Sequence, residues 1–151
     1  MAAELLQVGG VRLYHDQALF KEPGGGHTPW HQDQVYWPLD NDKCVTMWMP
    51  LVAVPASVGS MTFADGSHLQ GDLGHGIIGD ASEAGFAALV RDLALPTRTH
   101  GAMQAGDATF HMGWTLHRAD ANATDLLRSV MTVIYIADGT RVGEIDSPAR
   151  R

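Results

Sequence analysis

Apolar and polar residues alternate over Val11-Arg12-Leu13-Tyr14-His15, the two-residue period of a half-buried strand, and Ala18 to Lys21 continues it after a small irregularity. Pro23-Gly24-Gly25-Gly26 ends the run. Val45 to Val54 is rich in β-branched and bulky apolar residues and predicts a second, more buried strand, while Met61-Thr62-Phe63 predicts a shorter one entering a turn at Asp65-Gly66. The period then lengthens. Phe86, Leu89, Val90 and Leu93 recur at helical intervals and predict one helix packed on a sheet, starting at a capping box from Asp80 to Glu83 or a cap at Ser82, and stopped by Pro96. Arg98 to Met103 and Ala108 to His111 bracket Gln104-Ala105-Gly106-Asp107, a hairpin turn by its composition, and Ser129 to Ile136 is the strongest strand of the chain. Several strands with one helix predict an antiparallel sandwich or barrel. No internal repeat, low-complexity tract or linker divides the chain, so residues 1–151 are expected to form a single compact domain with a short N-terminal region and a frayed charged tail, Asp146 to Arg151.

Composition narrows the function classes. With 45% hydrophobic and 18% charged residues over 151 positions, the chain is an ordinary globule large enough for a core of its own. Lys and Arg total 10 against 17 Asp and Glu, and the net charge of -7 repels phosphate backbones, which argues against a nucleic-acid partner. Val45 to Val54 falls far short of the roughly 20 apolar residues of a membrane helix and contains Pro50. The opening MAAELLQVGG lacks the basic start of a signal peptide, and the lone Cys44 has no partner for an internal disulfide, so a cytoplasmic protein is expected. Eight histidines are the unusual feature of this composition.

Two of those histidines suggest a metal centre. In Trp30-His31-Gln32-Asp33, strand alternation would point His31 and Asp33 to one side, offering a nitrogen and an oxygen to a single ion. His117, from a remote segment, is the best placed third donor. Two imidazoles and a carboxylate on one flank form the facial triad that leaves positions open on Fe(II). A His-x-Asp pair also marks surface hydrogen bonds, so context has to decide. Arg128 follows a turn-prone stretch, Ala119 to Asn122, after His117; if the flanking segments pair as a hairpin, its guanidinium reaches the same neighbourhood and could grip a metal-chelating organic acid. The alternative is a salt bridge to Asp120 or Asp125.

His31-Gln32-Asp33, Tyr36-Trp37, Gly66-Ser67-His68, Gly113-Trp114-Thr115-Leu116-His117-Arg118 and Arg128-Ser129 together resemble the phytanoyl-CoA dioxygenase family, in order from about Leu13 to Ile136. The resemblance implies an all-β fold with one or two helices, a double-stranded β-helix or jelly roll of cupin-like form. It implies a hydroxylase that uses Fe(II), 2-oxoglutarate and O2 and releases succinate and CO2. Carried over position by position, His31, Asp33 and His117 would hold iron and Arg128 the distal carboxylate of 2-oxoglutarate. Trp48 would line the cosubstrate site, with core packing as its other role, and Gln17 and Lys21 would point polar groups at cosubstrate or substrate. Ala119 stands where such proteins often carry Ser or Thr. Asp33 fills a position that related halogenases leave to a halide, which favours hydroxylation over halogenation and leaves desaturation, ring formation or epimerisation open.

Tyr36, Trp37, Met112 and Trp114 are expected to shape a pocket for a small molecule, by family analogy a secondary metabolite. His68 is expected to stabilise a turn, and His27, His75, His100 and His111 are left outside the site, although His111 would lie near it if its strand led directly to His117. A metal-dependent isomerase or hydrolase is one rival. A truncated, non-catalytic binding homologue is the other, because relatives carry additional elements before the segment matching Leu13; a homodimer covering an exposed sheet is a further expectation.

Overall fold

The computed structural model describes residues 1–74, 76–145 and 150. Its strands are β1 (Val11–Lys21), β2 (Thr28–His31), β3 (Cys44–Pro50), β4 (Met61–Ala64), β5 (Thr97–Thr99), β6 (Thr109–Met112), β7 (His117–Ala119) and β8 (Arg128–Ala137), with helices α1 (Ala2–Leu6) and α2 (Asp80–Asp92). They form two four-stranded antiparallel sheets, ordered β1-β8-β3-β6 and β2-β7-β4-β5. A hairpin folded and wound in this way is the double-stranded β-helix that the family resemblance implies.

Burial follows position in the sheets. β8 and β3 are the central strands of the first sheet and are buried along most of their length, whereas β1 lies at its edge and is largely exposed. The strand read from Val11 to Lys21 is continuous, with its irregularity at the Leu13/His15 register shift. The Val45 to Val54 run ends earlier than its composition suggests, at Pro50, while Val54 bridges Met103. Trp48, Val58, Met61, Val130 and Ala119 form one buried cluster, and Trp30, Ala64, Phe86 and Leu116 form another beneath α2.

Three local expectations are corrected. The Asp80–Glu83 box does not form: Ser82 Oγ accepts the Gly79 amide (2.9 Å) and donates to the Trp30 carbonyl (3.2 Å), while Glu83 accepts the Trp30 amide (2.6 Å). Phe86 is fully buried under the helix, but Leu93 is 50% exposed because α2 ends at Asp92 and Ala94 turns left-handed (φ 49°) before Pro96 is reached. The turn at Gln104–Asp107 does form, with Asp107 donating its amide to Gln104 O (3.1 Å), yet it does not join a hairpin. β5 pairs with β4 and β6 pairs with β3, so the connection crosses between sheets. The charged tail lies outside the described residues apart from Arg150. No helix among the described residues is long and apolar enough to cross a membrane.

Candidate metal centre and its cavity

β2 ends at His31, and Asp33 opens a short 3-10 turn over Asp33–Tyr36 rather than continuing the strand. Gln32 between them is 1% exposed and spends its whole amide on the backbone. Its Nε2 donates to Gly71 O (2.8 Å) and Trp114 O (2.7 Å), and its Oε1 accepts the Leu73 amide (3.0 Å). That anchor sets the two flanking side chains by backbone position. β7 brings His117 beside them. Asp33 Oδ1 lies 3.6 Å from His31 Nε2 and 3.5 Å from His117 Nε2. One donor atom from each of the three residues falls within 4.8 Å of the others, the one such group among the described residues.

Hydrogen bonds select the imidazole tautomers. His31 Nδ1 faces Pro29 O at 2.7 Å and His117 Nδ1 faces Thr115 O at 2.9 Å. A carbonyl can only accept, so each Nδ1 carries the proton and each Nε2 turns a lone pair toward Asp33. Burial, reinforced by the neighbouring His31, holds the His117 pKa well below the ordinary histidine value against the pull of Asp33, so His117 is neutral. Burial would raise the Asp33 carboxyl; the adjacent His117, the hydrogen bond from His111 and the nearness of the His111 and His31 rings outweigh it and keep Asp33 ionised. Two imidazole nitrogens and a carboxylate are the donor set that a divalent transition metal takes. Nearby, the buried Cys44 thiol donates to Gln34 Oε1 (3.1 Å), and burial, with Asp33 and Asp42 close by, pushes its pKa up to about 12. A neutral thiol of that kind is no competitor for the ion.

The three donors face a cavity of about 390 Å³, which Gln17, Lys21, Trp48 and Arg128 also line. The structure therefore brings all seven sequence-predicted residues to one space. Arg128 reaches it by a different route from the one expected. β7 and β8 belong to different sheets and do not pair, so Arg128 faces His117 across the interior. Its Nη1 donates to Gly59 O (2.5 Å), its guanidinium lies 5.5 Å from the Trp48 ring centroid, and its buried Nε has no partner among the described residues. The alternative salt bridge to Asp120 or Asp125 is not formed among the described residues. Lys21 stands opposite Arg128 in the β1–β8 register and donates to Asp120 O (2.7 Å); burial and the Arg128 charge lower its pKa to about 8. Trp48 is both core and wall.

Two residues escaped the sequence reading. Thr132 lines the cavity with a buried hydroxyl that has no partner among the described residues, and it shares the face of β8 with Arg128, a relation that two-residue spacing along that strand could have exposed. His111 was set aside, yet its Nε2 lies 3.1 Å from Asp33 Oδ2 and its ring centroid 4.3 Å from that of His117. Other residues take structural posts. Ser67 rather than His68 ties its turn, donating to Ala64 O and accepting the Leu116 amide, both at 2.8 Å. His100 bonds Gly101 O and the Met61 amide, His27 is exposed, and His75 lies outside the described residues. Trp37 and Ala119 line the cavity; Tyr36 accepts the Ile78 amide, and Met112 faces a neighbouring pocket.

A double-stranded β-helix with two histidines and an aspartate grouped inside it defines the class of cupin-like proteins built around a metal centre. Within that class the chain belongs to the phytanoyl-CoA dioxygenase family, whose model matches residues 2–130. It is similar to a probable alpha-ketoglutarate-dependent hypophosphite dioxygenase of Stutzerimonas stutzeri, 29% identical over an alignment of 132 residues that covers 84% of this chain and 46% of that one. Among solved structures it resembles the epimerase SnoN in complex with Fe3+, alpha-ketoglutarate and nogalamycin RO, at 31% identity and a TM-score of 0.80 over 97% of this chain and 57% of that one. The alpha-ketoglutarate-dependent carbocyclase SnoK from nogalamycin biosynthesis matches at 29% identity and a TM-score of 0.76 over 99% and 61%. The chain thus spans about half the length of these relatives.

Proposed function

We propose that this chain is an Fe(II)- and 2-oxoglutarate-dependent oxygenase that hydroxylates a small organic molecule, with succinate and CO2 as coproducts. One observation carries it: three metal donors and two buried cations, neither in a salt bridge among the described residues, face the same cavity. His31, Asp33 and His117 would hold the iron, with both Nε2 lone pairs already directed inward. Arg128 would take the distal carboxylate of 2-oxoglutarate through its free Nε, with Lys21 adding charge and Thr132 a hydroxyl donor. Two like charges buried side by side are costly until an anion joins them, so this end of the cavity suits a dicarboxylate. Ferrous iron, 2-oxoglutarate and O2 together supply the oxidising power to break a C–H bond when bound. The chain's own part is to fix the donors, orient the cosubstrate against Trp48 and keep water from the reacting carbon.

The SnoN and SnoK likenesses favour a second outcome at the same centre, in which the oxidised carbon is epimerised or closed into a ring. Both outcomes point to a secondary metabolite as substrate. The paired cations weigh against an isomerase or hydrolase, which would leave Arg128 and Lys21 without a task. A non-catalytic binding protein would keep the cosubstrate but form no succinate. The unpaired Cys44 suits a reducing cytoplasm.

Anaerobic addition of Fe(II) and 2-oxoglutarate is expected to give the weak visible charge-transfer band of their chelate, and a screen of candidate metabolites should find one that stimulates succinate formation. Absence of the band, with no 2-oxoglutarate heat by calorimetry, would overturn the proposal.

A further inference from the structure

Asp33 has two carboxylate oxygens, and the chain treats them differently. Oδ1 faces the Nε2 atoms of His31 and His117. Oδ2 is turned away to a pair of donors: Thr46 Oγ1 at 3.0 Å and His111 Nε2 at 3.1 Å. Thr46 and His111 are direct cross-strand partners in the β3–β6 ladder, so a single rung of the first sheet delivers both contacts. The two side chains are buried.

The proton on His111 can be placed. Its Nδ1 is buried and has no hydrogen-bond partner among the described residues, so a proton there would be a donor with nothing to accept it. The proton belongs on Nε2, where Asp33 Oδ2 accepts it. Three neighbouring imidazoles therefore divide the work: His31 and His117 turn lone pairs toward the carboxylate group, and His111 turns an N–H.

We infer that Thr46 and His111 are positioning residues that occupy Oδ2 of Asp33 and leave Oδ1 as the one oxygen offered to a metal. The inference rests on the metal site proposed above. A carboxylate with both oxygens free can swing to grip an ion with two, which would use a coordination position needed by the cosubstrate or O2. Two donors on Oδ2 prevent that swing by fixing the carboxylate plane. Neither residue touches the reacting atoms. Their effect passes through Asp33.

The test uses Co(II), whose binding is read by anaerobic calorimetry and whose visible absorption reports coordination number. Thr46→Val and His111→Leu remove one donor each, whereas Thr46→Ser and His111→Gln keep a donor in reach. The first pair should lower Co(II) affinity by about 10–100-fold and change the visible spectrum, and the second pair should recover most of the loss. Thr46→Val is nearly isosteric, which keeps the test open if His111→Leu fails to fold. Wild-type affinity and spectrum in both donor-deleted variants, with Asp33→Ala still losing Co(II), would overturn the positioning role alone. Wild-type binding by Asp33→Ala as well would overturn the metal site itself. If His111→Leu kept wild-type affinity and spectrum while Thr46→Val lost them, the positioning role of His111 would fail.

Discussion

His31 and His117 are direct partners in the β2–β7 ladder, and their ring centroids lie 4.1 Å apart. A single antiparallel rung therefore joins two remote parts of the chain into one nitrogen pair. Because the rung is backbone, the pair persists without an ion, and substitution of one ring should remove a donor while leaving the ladder intact. His31→Ala, Asp33→Ala and His117→Ala are each expected to weaken Fe(II) binding by more than the ~10–100-fold cost of losing a group that merely orients a ligand. Anaerobic calorimetry reads the affinity and circular dichroism the fold; unchanged iron binding in all three would refute the assignment.

Arg128 and Lys21 predict a pH profile. Lys21 titrates at about 8 in the folded chain against 10.5 as a free side chain. Between those values the unfolded chain binds the extra proton, so the contribution of Lys21 to stability rises with pH across that window, and the burial cost is fully present below it. Cosubstrate binding runs the other way, because the anion wants the charge. Affinity for 2-oxoglutarate should be level near neutrality and fall as pH passes about 8, more steeply than in Lys21→Arg. Lys21→Met should bind weakly with no such fall. Arg128→Lys should also bind weakly, since an ammonium cannot reproduce the planar fork. Calorimetric titrations across pH decide this.

Gly59 supports both cations. Its φ of +92° is left-handed, and a Cβ there would lie 2.6 Å from Asp120 O, 3.1 Å from Lys21 Cδ and 3.3 Å from Arg128 Nη1. Gly59→Ala is expected to cost about 1–3 kcal/mol of stability, seen as a lower urea midpoint, from the strained backbone. It should also weaken 2-oxoglutarate more than it weakens metal, because the crowded atoms belong to the cation end. Equal losses of the two would argue against this separation.

Glu83 links α2 to β2, the strand that ends at His31. Its Oε2 accepts the Trp30 amide at 2.6 Å, one residue before His31, and its charge sits in the first turn of α2, where the helix dipole favours it. Glu83→Ala should destabilise the fold by about 1–3 kcal/mol by leaving that amide unpaired, while Glu83→Gln should retain much of the stability. Urea denaturation measures both.

Local patterns carried well from sequence to structure where the cause was local. β8 was readable because a central strand buried on both faces is an apolar run, and α2 because Phe86, Leu89 and Val90 repeat at helical spacing. Sheet membership was not readable. Nothing in Arg98 to His111 says that Thr99 pairs with Thr62 while His111 pairs with Thr46, since those choices depend on partners far away in the chain. The same limit hid His111, whose place beside Asp33 follows from the β3–β6 register rather than from any spacing to His31 or His117. Arg128 shows the converse: its cavity position was anticipated, but by a hairpin that the fold does not contain.

Cys44, the sole cysteine, lies fully buried with its thiol held neutral against Gln34. Alkylation needs both access and the thiolate, so reagents must wait for the first sheet to open. Its labelling rate is therefore a built-in clock for that opening, and slower modification on adding a ligand would measure how strongly the ligand tightens the barrel without any engineered probe.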